Sequence, residues 1–177
     1  MPQSVDPITT RVHVPPRIPL ASIDPTLLSP VLTTFRQGTA DVAPKCHCTL
    51  DLKLPVEDDD TSATLEARWF IDYDATNFSS IGPVQTNTLP GSLDNVTVRE
   101  PVVYTVQPDN FSTGVHVIEM VVAEQSGFDE TSSTKPNRAV KNAEGYESAV
   151  YRFVVNVQPS PQPACPDVQP SRRVCTP

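Results

Sequence analysis

Residues 46–73 read CHCTLDLKLPVEDDDTSATLEARWFIDY, and this stretch restricts the possible folds more than any other part of the chain. Cys46, Cys48, Leu50, Leu52, Leu54 and Val56 fall on every second position, the period of a half-buried β-strand. Glu57-Asp58-Asp59-Asp60 then interrupts the pattern as an acidic turn. The alternation resumes with Leu65, Ala67, Trp69, Ile71 and Tyr73 on one face, and Glu66, Arg68 and Asp72 on the other. Two amphipathic strands joined by a turn need a second apolar layer to cover them, which directs the chain to a layered all-β architecture.

The remaining sequence agrees. Residues 74–95 are rich in turn formers, among them Gly82-Pro83, Pro90-Gly91 and Asp94-Asn95. Val96, Val98, Val102, Tyr104 and Val106 restore the two-residue period around Glu100-Pro101, and that proline predicts an edge strand or a bulge. Residues 115–123, VHVIEMVVA, are apolar on both faces and predict a central strand. Residues 126–147 form a polar insertion. The last strand is expected at residues 149–157, AVYRFVVNV, with Tyr151, Phe153, Val155 and Val157 on one face. The expected fold is an immunoglobulin-like β-sandwich of about seven strands.

The chain has 177 residues, enough for one domain with a substantial core. Proline marks where that core should stop, because it lacks the N–H that a sheet ladder needs. Fourteen of the 20 prolines lie in residues 1–44 and 159–177. Three regions follow: a proline-rich extended arm (1–44), the sandwich (45–158) and a C-terminal tail (159–177). Within the arm, residues 31–35 carry a short edge-strand pattern, and Val12 and Val14 alternate, so the arm could add a strand to a neighbour's sheet.

Four cysteines, Cys46, Cys48, Cys165 and Cys175, allow three pairings. A bridge within Cys46-His47-Cys48 closes a strained small ring. Both other pairings tie the first core strand to the tail, which closes a loop worth about 4–5 kcal/mol in the chain-entropy model. Such bridges imply an extracytoplasmic location, secreted or at a cell surface. The net charge of −8 opposes nucleic-acid binding. No apolar run reaches membrane-spanning length. The N-terminus shows no signal-peptide pattern, so a signal or lipid anchor is expected upstream of Met1.

Residues 46–158 resemble the bacterial immunoglobulin-like and polycystic-kidney-disease-type repeats of surface and envelope proteins. The resemblance rests on the apolar strand 50–56, the acidic turn Asp58-Asp59-Asp60, the run Arg68-Trp69-Phe70-Ile71-Asp72-Tyr73, and Gly114-Val115-His116-Val117-Ile118-Glu119. The Gly-Asp-Gly that follows the tryptophan strand in those repeats is replaced by Tyr73-Asp74-Ala75. The wording around Trp69 also looks like that of exported lipoproteins of myxobacteria. The resemblance implies a non-catalytic structural module acting in assembly or adhesion, through a protein partner or by self-association.

Several constellations invite a more specific reading. Asp58, Asp59 and Asp60 offer oxygens for calcium, which makes a calcium- or carbohydrate-binding domain the alternative function. Cys46-His47-Cys48 holds metal-ligand types, but a strand points His47 away from both cysteines, so disulfides are the expected chemistry. His13, His47 and His116 are the chain's histidines, and none belongs to a hydrolase motif; His116 is read as a packed or edge residue. Asn77, Asn95 and Asn110 open glycosylation sequons, relevant only to a eukaryotic source. Trp69 is assigned to the core. Phe70 faces the other way and is expected to meet the N-terminal arm or a partner.

Overall fold

A computed structural model describes residues 14–36, 47–77, 81–130, 138–141, 146–159 and 173–176. Among these residues eight strands form two sheets: β1 (Leu32–Arg36), β2 (His47–Leu54), β3 (Leu65–Ile71), β4 (Gln85–Leu89), β5 (Val102–Val106), β6 (Gly114–Glu124), β7 (Ala149–Pro159) and β8 (Arg173–Thr176). The larger sheet has the order β1-β7-β6-β3-β4 and the smaller β5-β2-β8. All pairings are antiparallel except β1 with β7. Helical structure among the described residues is limited to four short 3-10 turns, at Leu20–Ser22, Pro25–Leu28, Pro108–Asn110 and Gln125–Gly127.

The alternation read from the sequence becomes the contact between the sheets. Leu50, Leu52 and Leu54 of β2 meet Leu65, Ala67 and Trp69 of β3, Ile118, Met120 and Val122 of β6, and Phe153, Val155 and Val157 of β7 in one buried cluster. Trp69 is fully buried and stacks on Tyr104 of β5, with ring centroids 5.4 Å apart. Side chains of this size each contribute about 1.5–3 kcal/mol on burial. A hydroxyl bond from Thr34 of β1 to the Cys48 carbonyl of β2 joins the sheets at one end.

The two sheets face one another as a β-sandwich, with the core tryptophan on β3. Three expectations need correcting.

First, the N-terminal segment is not an arm throughout. Ile23 and Leu27 lie in the core, and β1 is an edge strand of the larger sheet. Apolar residues between prolines reach the core through two 3-10 turns, a solution that needs no regular period. Val12 lies outside the described residues, and Val14 is half-buried and outside any strand.

Second, β7 is not the last strand. β8, inside the tail, pairs with β2 and sets Cys175 opposite Cys48. Third, β4 lies within the supposed turn region. Its sequence, Gln-Thr-Asn-Thr-Leu, carries little apolar alternation because it is an edge strand with mostly polar positions.

Candidate functional site

The outer face of the larger sheet is divided, and β6 shows where. Of its first four residues only His116 is buried, whereas Ile118–Glu124 are buried on both faces. Over the second half lie Phe128 and Val140, which bridge one another and form a second cluster with Phe70, Val121, Ala123 and Tyr73. The Arg68 guanidinium stacks 3.8 Å from the Phe128 ring and pairs with Glu66 and Glu130. Phe70 is therefore fully buried. Among the described residues it is covered by the segment following β6 and not by the N-terminal arm, and its burial keeps it out of a partner's reach. Phe128 and Val140 of that segment, expected to be a polar insertion, close half of the sheet.

The first half of the face is open. Val115 is 64% exposed and Val117 38%. Val117 pairs with Val154 of β7, and Val115 with Asn156. At the border between the halves is a groove of about 520 Å³ lined by Asp72, Tyr73, Val117, Glu119, Arg138 and Arg152.

Glu119 is the centre of this groove. It sits opposite Arg152 in the β6–β7 register and accepts bonds from Arg152 Nε and Arg138 Nε, one on each carboxylate oxygen. Its burial raises its pKa, but the bonds and charges of the two guanidiniums outweigh that, and the net position is below the ordinary glutamate value. Arg138 also lies over the Tyr73 ring, 5.1 Å from its centroid. Tyr73 reaches this side because Asp72 has a φ of 46°. That left-handed residue breaks the strand alternation, so Tyr73 turns to the Phe70 side instead of following Trp69. It meets Phe70 edge-on at 5.5 Å.

Asp72 and His116 close the end of the groove. Asp72 Oδ1 accepts the Val117 N–H at 2.8 Å, and Oδ2 lies 2.6 Å from His116 Nδ1. On the other side of the ring, Nε2 is 2.9 Å from the Ser112 carbonyl and 3.4 Å from the Ser112 hydroxyl. Serine, histidine and aspartate are thus assembled in triad order, but with the wrong hydrogen bonds for a general base. A carboxylate and a carbonyl only accept, so the contacts to Asp72 and the Ser112 carbonyl favour a ring protonated on both nitrogens, an imidazolium. Such a ring has no lone pair to take the serine proton. Burial lowers the His116 pKa, yet the Asp72 and Ser112 bonds and the Asp72 charge raise it more, leaving it above the ordinary histidine value.

The acidic turn is organised by arginines. Arg17 holds Asp59 with two bonds of 2.8 Å. Asp60 Oδ1 caps the N–H and hydroxyl of Ser62. Asp58 is buried, accepts from the Asp60 N–H, and lies 3.7 Å from Arg99. Arg99 in turn donates to the carbonyls of Asp60, Thr61, Ala63 and Pro90. Burial places the Asp58 pKa above the usual carboxylate range, against the opposing Asp60 and Arg99 contributions. The three carboxylates expected to bind calcium thus engage separate protein partners. No cluster of three or more metal-ligating side chains occurs among the described residues.

Cys48 is fully buried and disulfide-bonded. Cys46 and Cys165 lie outside the described residues. Among the described residues no helix is long and apolar enough to cross a membrane. In comparisons with known proteins, the chain matches no family model, no curated protein and no solved structure.

Proposed function

We propose that this chain is a non-catalytic interaction module, acting in assembly or adhesion at a bacterial envelope or cell surface through the open half of its larger sheet. The observation that carries the reading is the contrast along β6. Val115 and Val117 are exposed on a strand whose later residues are covered on both sides, and neighbouring exposed apolar side chains on one strand face favour a protein contact. The imidazolium assignment for His116 supports the absence of hydrolase chemistry at Ser112.

An extracytoplasmic location rests on the cysteines. Residues opposite one another in an antiparallel ladder have Cα atoms about 4.5–5.5 Å apart, inside the range a disulfide spans. The register therefore favours Cys48 with Cys175 and leaves Cys46 for Cys165.

Photo-crosslinking tests the surface and captures whatever protein occupies it. A photoreactive amino acid is placed at position 115 or 117 of the full chain in its own cells, and at 84 or 93 as exposed controls. Discrete adducts from 115 and 117 alone support the reading. Adducts from all four positions, or from none, contradict it.

A further inference from the structure

The geometry points to the groove around Glu119 as a carboxylate-binding site, taking an acidic side chain from an extended peptide segment of the partner. This deepens the proposed contact surface and rests on it. Donors and acceptors are out of balance in this groove. All four carboxylate oxygens of Asp72 and Glu119 accept bonds, from Val117 N–H, His116, Arg138 and Arg152. The two arginines reach Glu119 through Nε alone, and among the described residues their terminal nitrogens have no hydrogen-bond partner. A guanidinium presents five N–H donors in a rigid fork matched to a carboxylate. Two guanidiniums sharing one carboxylate leave a net positive charge, while Asp72 is compensated by the His116 imidazolium.

The site is also shaped for more than a bare ion. Tyr73 supplies an aromatic wall under Arg138, and exposed Val117 lines the same groove. Val117 and Glu119 are two residues apart on one face of β6. An extended peptide with an acidic side chain two residues from an aliphatic one would match both, because strands repeat every two residues. Surface valines next to a cationic fork favour a peptide over a sugar, whose hydroxyls would face apolar side chains.

The test is an NMR titration of the purified full chain with a blocked Glu-Thr-Val peptide, its Gln-Thr-Val analogue and glucuronate. The expected result is affinity on the order of millimolar for the glutamate peptide, with shifts centred on Tyr73, Val117 and Glu119. Arg152→Gln and Arg138→Gln should each weaken it about tenfold. Lys53→Gln on the opposite sheet removes the same charge and should leave it unchanged. Arg152 is largely exposed, so its variant tests the site without threatening the fold. Equal binding of the glutamine peptide, unchanged binding by Arg152→Gln, or no localised shifts would overturn the carboxylate site. Glucuronate binding as tightly as the peptide would overturn the peptide assignment. Crosslinks at position 117 without peptide binding would reject this inference alone and leave the contact surface standing.

Discussion

Asp72 leaves β3 in a left-handed conformation, and its carboxylate meets His116 Nδ1 at 2.6 Å on the neighbouring strand. One residue thereby turns Tyr73 toward the groove, caps the Val117 N–H and holds an imidazolium.

This clamp predicts a specific pH dependence. The folded His116 pKa lies above its ordinary value, so the folded chain binds the proton more tightly than the unfolded chain. The clamp's stabilisation is complete below the unfolded value of about 6.5 and is lost as pH rises through the higher folded value. Thermal midpoints of the wild type should fall through that window, modestly because Asp72 is half-exposed. His116→Gln should flatten the profile there. A profile unchanged by the substitution contradicts the imidazolium assignment.

Glu119 predicts the opposite limb. Its folded pKa is depressed, so its contribution is present above the unfolded value of about 4.3 and disappears as pH falls through the folded one. Glu119→Gln should cost about 1–3 kcal/mol at neutral pH, less than for a fully buried pair because Arg152 can reach water. The penalty should shrink in acid. Urea denaturation followed by the fluorescence of the single tryptophan, Trp69, measures both.

Phe128 predicts what covers the other half of the sheet. Phe128→Ala removes the ring that Arg68 stacks on and that seals Phe70 and Val121. The loss should be about 3–5 kcal/mol, with amide exchange accelerated around Phe70 and Val121 before the β2–β5 pair is affected. Uniform acceleration throughout the chain would show that the cover is not a separate layer.

Much of the sandwich is legible in the sequence because β2, β3, β6 and β7 bury alternating or continuous apolar residues, and Trp69 is readable as core for the same reason. β4 and β8 are not, since a polar edge strand and a four-residue strand in a proline-rich tail carry no periodic signal. Ile23 and Leu27 enter the core through irregular turns, which hides the role of the N-terminal segment. The alternation puts Phe70 on the face opposite Trp69, where the structure has it, but what covers it depends on a long-range contact with Phe128.

The groove is legible only in fragments. Glu119 inside VHVIEMVVA and Arg152 inside AVYRFVVNV are lone charges in apolar strands, a pattern that signals pairing. Their partnership depends on the β6–β7 register, and Tyr73 depends on the left-handed turn at Asp72. Neither is encoded in local pattern. The conspicuous acids at 58–60 are instead partners of Arg17, Arg99 and Ser62.

Half of the larger sheet's outer face is open, while the other half is closed by the chain itself. Paramagnetic broadening of valine methyl signals by a soluble gadolinium chelate measures this directly. Strong broadening is expected at Val115 and Val117, with protection at Val121, Val122 and Val155. Protection of Val115 and Val117 equal to that of Val121 would contradict it.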